Sequence, residues 1–240
     1  MANAIEVLGF SYGSPGYLAM QDKILEEVAL QAYRTSIELA KEKGAFPLFD
    51  ARYLDGWFVK NVLTDDLRAG IEKHGLRNGL LLSIAPTGTI SMAADNVSSG
   101  IEPPFALKTE MDIQMPDGLK TFTATDHALE FFGVAGKTSG ETSAEEHIDV
   151  LCAAQRFVDS SISKTCNVDG QIAGEGPGVP YHDYKGLYLR AWEGGAKGCT
   201  TFNKNGKLMG VRREVNEPPG DEVQACTIDE YGRKTCSADL

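Results

Sequence analysis

The chain has 240 residues, is 42% hydrophobic, and carries 34 acidic against 23 basic side chains for a formal charge of −11. That length and apolar content suit one or two domains with a sizeable core, and the acidic balance argues against a broad nucleic-acid surface or a polybasic membrane anchor. No apolar run is long enough to span a bilayer, residues 1–7 lack the basic and long apolar regions of a signal peptide, and five dispersed cysteines are too few for a secreted disulfide scaffold. These features place the protein in the cytoplasm, with neither a nucleic-acid polymer nor a membrane as partner.

Residues 17–43 predict the clearest helix, with Ile24, Leu25, Val28, Ala32, Tyr33 and Leu39 marking an apolar stripe. Gly44 ends it and Pro47 follows. Thr64-Asp65-Asp66 opens a second helix with acids in its first turn, and Gly75 closes it. Asn78-Gly79 then breaks the chain before Leu80-Leu81-Leu82-Ser83-Ile84, an apolar run that predicts a strand buried on both faces of a parallel sheet. Ala85-Pro86-Thr87-Gly88-Thr89 follows as a turn, and Ile90-Ser91 leads into a helix. The hydroxyls and the N–H groups at the positive end of that helix suit an anion, above all a phosphate. The plainer reading of the turn is a strand-to-helix connection with Thr as N-cap. Spacing alone favours that plainer reading, because the turn is neither a Walker nor a dinucleotide fingerprint.

Residues 108–140 look irregular, with Met115-Pro116-Asp117-Gly118 as the turn of a hairpin. Ser143-Ala144-Glu145-Glu146 is a capping box that opens a helix with Ile148, Leu151, Cys152, Ala154 and Val158 on its apolar face. A strand over residues 163–168, a Gly/Pro-rich loop over 170–180, a helix over 184–196 and a strand over 198–202 follow. This alternation predicts an α/β fold with parallel strands. From Asn216 onward the composition changes. Glu217-Pro218-Pro219-Gly220-Asp221-Glu222 reads as a linker, and residues 226–240 as a mobile tail. The domain boundary is set at 215/216.

Cys152 on a helix face, and Cys166 and Cys199 in strands, read as small buried hydrophobes. Cys226 and Cys236 differ, because they lie in the polar tail beside Arg233 and Lys234, which favour the thiolate. Two cysteines without Cys-x-x-Cys spacing do not make a zinc site, and His74, His127, His147 and His182 are dispersed with no metal-binding spacing. Glu102 is expected to fix its loop by accepting backbone hydrogen bonds. Trp57 and Trp192 are expected in the core or at a subunit interface.

Three ordered segments carry a resemblance: LLLSIAPTGTISMAADNVSSGIEPPFA at residues 80–106, QRFVDSSISKT at 155–165, and LRAWEGGAKGCTTF at 189–202. Together they resemble the second half of the catalytic subunit of ribonucleotide reductases, in particular the adenosylcobalamin-dependent class II enzymes. The resemblance implies an α/β chain forming the C-terminal half of a ten-stranded α/β barrel with a flexible tail. It implies a cytoplasmic oxidoreductase of deoxyribonucleotide and DNA synthesis, reducing ribonucleoside diphosphates by thiyl-radical chemistry. Ala85, Pro86, Thr87, Gly88, Thr89, Ile90 and Ser91 would hold the substrate phosphates. Cys226 and Cys236 would be the redox pair of the tail, although the family's pairs are usually closer together. The family's thiyl cysteine sits in a Cys-x-Glu motif, which does not occur here. The resemblance therefore implies a hetero-oligomer with a larger reductase subunit that carries the thiyl cysteine and most of the adenosylcobalamin contacts, re-reduced by a thioredoxin-like protein. Aerobic, diiron-dependent members carry two adjacent tyrosines where Thr200 and Thr201 stand, which favours the cobalamin class. The competing expectations are a non-catalytic accessory or regulatory barrel fragment that binds a complete reductase, and a generic phosphate-binding α/β protein.

Overall fold

The computed structural model describes residues 1–116, 118–168, 181–203, 212–214, 226–228 and 234–236. In chain order the elements are α1 (Ala2–Val7), α2 (Pro15–Lys43), a 3-10 turn (Ala51–Asp55), α3 (Trp57–Asn61), α4 (Asp65–His74), α5 (Gly88–Ala93), β1 (Lys108–Met115), β2 (Gly118–Thr125), α6 (His127–Phe132), α7 (Ala144–Gln155), β3 (Thr165–Val168), α8 (Tyr181–Glu193), β4 (Thr200–Asn203), β5 (Arg212–Glu214), β6 (Cys226–Ile228) and β7 (Lys234–Cys236). They fall into two compact units, residues 1–107 with 125–205, and residues 108–124 with 206–240. The boundary expected at 215/216, the loop at 170–180 and the linker at 217–222 lie outside the described residues.

In the first unit α2 starts where Ser14 accepts the Tyr17 N–H, with Pro15 in its first turn, and ends at Gly44 in a positive-φ conformation. Its buried row is Tyr17, Gln21, Leu25, Ala29, Tyr33, Ile37 and Ala40. The stripe expected through Val28 is displaced, because Val28 is 48% exposed. Two apolar rows run side by side on this helix, and the row carrying the large tyrosines meets α4 and α7. α4 lies between Thr64 and Gly75 as expected, although Thr64 does not cap it through its side chain. Gly75 has φ +72, and a Cβ there would fall 2.6 Å from Ala45 Cβ, so only glycine fits. α7 opens with the expected capping box: Ser143 Oγ accepts the Glu146 N–H at 3.2 Å, and Glu146 Oε2 accepts the Ser143 N–H at 2.8 Å. Ile148, Leu151 and Ala154 on α7, with Val158 beyond its end, are buried, while Cys152 is half-buried.

The strand expected at residues 80–84 is shorter than its apolar run. Leu80 is 79% exposed, and the N–H groups of Leu81 and Leu82 donate to the Asp159 carboxylate at 3.2 and 2.8 Å instead of to a ladder. Pairing begins at the Leu82 carbonyl, which accepts the Ser160 N–H at 3.0 Å. Ile84 then donates to Ser161 at 3.3 Å and accepts from Ser163 at 2.8 Å, a parallel bridge opposite Ile162. β3 and β4 pair in parallel, Thr165 opposite Thr200 and Val168 opposite Asn203. Three parallel segments thus follow one another in chain order, with α5 after the first and α8 after the second. Cys166 and Val168 on one face of β3 pack with Ile148 of α7 and with Leu187 and Ala191 of α8. This is the α/β logic of helices covering a parallel sheet.

In the second unit β1 lies between β2 and β5. β1 and β2 are neighbours in this sheet, residue 117 of the expected turn lying outside the described residues, and Thr109 stands opposite Glu214 across the antiparallel pairing with β5. β6 and β7 form an antiparallel ribbon. Among the described residues no helix is long and apolar enough to cross a membrane.

Ser143 satisfies a donor that the first turn of α7 cannot satisfy itself. Ser143→Ala is expected to cost about 1 kcal/mol and to lower the thermal midpoint by roughly 2–4 °C, read by circular dichroism.

Candidate functional site

The turn after Ile84 is held from behind. Thr87 adopts a left-handed conformation, φ 48°, and precedes the first residue of α5 without capping it through its side chain. Its Oγ1 instead accepts the Gly100 N–H at 2.9 Å, and its carbonyl accepts the Ser91 N–H at 2.9 Å. Ser91 is buried. Its hydroxyl donates to the Gly88 carbonyl at 2.8 Å and accepts from Ser99 Oγ at 3.0 Å. Gly100 has φ +52, and a Cβ there would lie 2.8 Å from the Ala85 carbonyl oxygen, so the loop presses directly on the turn. The Met1 ammonium closes this corner by donating to the Gly100 carbonyl at 3.1 Å.

Of the seven residues read as a phosphate cradle, Thr87 and Ser91 therefore tie the turn to the loop at 98–100. Ala85, Pro86, Gly88, Thr89 and Ile90 are exposed. The N–H groups of Thr89 and Ile90 sit in the first helical turn, where a helix offers its own donors no carbonyl. Gly88 has open space where a Cβ would stand. The turn also lies at the carboxyl end of its strand segment, the end at which α/β sheets bind ligands.

Glu102 accepts backbone hydrogen bonds as expected, and it does more than the sequence suggested. Its Oε1 accepts the Thr165 N–H at 2.5 Å, and its Oε2 accepts from Lys164 Nζ at 2.5 Å. Lys164 is 2% exposed. Its ammonium also donates to His147 Nδ1 at 2.7 Å and to the Thr165 carbonyl at 2.7 Å, so all three of its protons are used. Burial pulls the Lys164 pKa below its ordinary value, opposed mainly by the Glu102 carboxylate. His147 is fully buried. Burial first, and the Lys164 charge second, hold its pKa down to about 3. Its ring is neutral at physiological pH, and because Nδ1 accepts from Lys164 the proton falls to Nε2, which is buried without a hydrogen-bond partner among the described residues. Nothing in the sequence marked this cluster, because its members come from three distant segments. The paired turn signals of Pro103-Pro104 and the lysine before β3 are the nearest cues.

Thr200 and Thr201 point to opposite faces of β4, as alternation requires. Thr201 Oγ1 lies 2.5 Å from Tyr184 Oη and 2.8 Å from Tyr188 Oη of α8. Burial pushes the Cys166 thiol up to about 12 and raises Cys152 and Cys199 as well, which suits packing rather than nucleophilic thiols. In the second unit Cys226 and Cys236 are register partners across the β6–β7 ribbon. Trp57 and Trp192 are 64% and 73% exposed and do not enter the core of this chain.

The family model for the ribonucleotide reductase barrel domain matches residues 1–118 and 120–202. The chain belongs to the ribonucleotide reductase barrel family. A vitamin B12-dependent ribonucleoside-diphosphate reductase of Mycobacterium tuberculosis is 26% identical over 84% of this chain and 30% of its own length. The enzyme of the same name from Thermoplasma acidophilum is 27% identical over 92% of this chain and 30% of its own. The ribonucleoside-diphosphate reductase 1 subunit alpha of Escherichia coli is 28% identical over 78% of this chain and 26% of its own. The chain spans less than a third of the length of these relatives.

Among the described residues no three His, Cys, Asp or Glu side chains gather as a metal site, and the buried His147 has its Nδ1 taken by Lys164.

The depressed His147 pKa gives a signed pH dependence. Unfolded, this histidine binds a proton below about pH 6.5, whereas folded it does so only below about 3. The unfolded state binds more protons through that window, so stability falls as pH drops from about 6.5 towards 3, by at most about 1.4 kcal/mol per unit. His147→Asn keeps an acceptor near Lys164 but cannot titrate, and urea melts across this range should show a shallower slope for the variant.

Proposed function

We propose that this chain works as part of an adenosylcobalamin-dependent ribonucleoside-diphosphate reductase, supplying the C-terminal half of its ten-stranded barrel. The observation that carries the reading is the turn at 85–91: exposed first-turn N–H groups at the carboxyl end of a parallel segment, fixed from behind by the loop at 98–102. Such a nest stabilises phosphate oxygens even in a chain whose net charge is −11, because the donors act at contact distance while the global field is screened. Thr89 is the exposed hydroxyl, and the Thr89 and Ile90 N–H groups are the proposed donors. Thr87 and Ser91 hold the turn in shape. The relatives named ribonucleoside-diphosphate reductases favour a diphosphate substrate.

A larger reductase subunit is the proposed partner, carrying the thiyl cysteine and the cobalamin site. Cys226 and Cys236 are the proposed tail thiols. Register partners in an antiparallel pair stand about 4.5–5.5 Å apart at Cα, inside the range a disulfide spans. Their oxidation to a disulfide would deliver two electrons and two protons to the active site, and a thioredoxin-like dithiol would restore them by exchange.

Ribonucleotide reduction should appear when the chain is mixed with the larger subunit, adenosylcobalamin and dithiothreitol, and with neither polypeptide alone. Full activity of the larger subunit by itself would replace this reading with that of an accessory fragment. Gly88→Ala places a methyl group in open space beside the proposed donors and is expected to raise KM for the diphosphate about tenfold or more, with the thermal midpoint unchanged. Cys226→Ser or Cys236→Ser should reduce turnover driven by a thioredoxin-like protein about tenfold or more while sparing turnover driven by dithiothreitol.

A further inference from the structure

We infer that Glu102 and Lys164 are positioning residues that set the shape of the turn at 85–91 from the far side of the loop, an inference that rests on the phosphate reading of that turn. α5 has only six residues. A helix this short has no stability of its own in water, so the place of its first turn is imposed by what it touches. The connections run in one direction. Lys164 and the Thr165 N–H grip the two carboxylate oxygens of Glu102, one each, at 2.5 Å. The Glu102 N–H donates to the Ser99 carbonyl at 2.8 Å and closes the loop. From that loop the Ser99 hydroxyl donates to Ser91, and the Gly100 N–H donates to Thr87. The start of β3 is thereby linked through one carboxylate to both ends of the turn.

Lys164 cannot be a phosphate ligand itself. Its side chain is 1% exposed and its three protons are already placed on Glu102, His147 and the Thr165 carbonyl. Glu102 repels phosphate and faces the strand. The pair therefore acts on substrate only through the turn, by keeping its donors converged. Loosening it spreads those donors and weakens binding while leaving the radical chemistry, which belongs to other residues, with its own rate constant.

The test uses the chain assembled with the larger subunit, comparing Glu102→Gln, Glu102→Ala and Gly88→Ala. Steady-state kinetics with a ribonucleoside diphosphate are read together with amide hydrogen exchange of the chain. Expected are a KM raised about threefold by Glu102→Gln and about tenfold or more by Glu102→Ala, with kcat at saturation changed less than about twofold. Exchange should speed up over residues 85–100 while α2 and α4 keep their protection, which separates a loosened turn from a globally weakened fold. A raised KM in Gly88→Ala with KM and local exchange unchanged in both Glu102 variants would overturn the positioning role and leave the phosphate reading standing. An unchanged KM in Gly88→Ala would overturn the phosphate reading and the positioning role with it. Should Glu102→Ala fail to fold, the isosteric Glu102→Gln decides alone.

Discussion

A buried ammonium organises this corner of the protein. Lys164 lies at the entrance to β3, out of water, and a charge in that position persists only if every proton finds an acceptor. Glu102, His147 and the Thr165 carbonyl supply the three, and each belongs to a different part of the fold: the loop after α5, the helix α7, and the strand itself. Removing Glu102 would leave the charge uncompensated, and removing either neutral acceptor would leave a proton unpaired in a low-dielectric interior, so the three parts are bound to one another. His147 is held neutral for the same reason. A second cation beside Lys164 would be unsatisfied, and the imidazole serves as an acceptor.

The architecture around that cluster follows from parallel pairing. Parallel segments need crossovers, the crossovers here are helices, and the helices cover one face with Cys166, Val168, Ile148, Leu187 and Ala191. The carboxyl ends of the segments are then free to carry loops. The turn at 85–91 stands at such an end, and its donors face outward because Thr87 and Ser91 spend their own hydrogen bonds on the loop behind it. The residues of the turn thus divide into those that hold its shape and those left open to solvent. Burial separates them: Ser91 is 3% exposed, and Ile90, one residue earlier, is 69% exposed.

The thiols divide in a similar way. Cys152, Cys166 and Cys199 lie near one another in apolar surroundings that raise their pKa values, so they are poor thiolates even with Lys164 drawing Cys199 downward. Cys226 and Cys236 stand in a separate unit, opposite each other in a two-stranded ribbon. At Thr201, two tyrosine hydroxyls of α8 converge on a threonine hydroxyl, which locks α8 to β4 by hydrogen bonds as well as by packing.

Local features were legible in the sequence wherever local physics decides them. The Ser143–Glu146 capping box and the stops at Gly44 and Gly75 each rest on residues a few positions apart, and the helix expected from Ile90 opens two residues earlier, at Gly88. The sequence also revealed the reductase resemblance, through three ordered segments. It overstated the strand at 80–84, because an apolar run does not reveal that Asp159 will take the first two N–H groups. It misplaced the buried row of α2, because two apolar rows look alike until a partner chooses one. It did not show that the Thr87 hydroxyl accepts the Gly100 N–H, or that Lys164, His147 and Glu102 meet. Those facts depend on contacts between residues 13 to 63 positions apart. Sequence patterning sets which residues prefer to leave water or to cap a helix. Only the tertiary structure brings distant donors and acceptors within 3 Å of each other, and in a dry interior that proximity decides which polar groups are structural and which stay open to solvent.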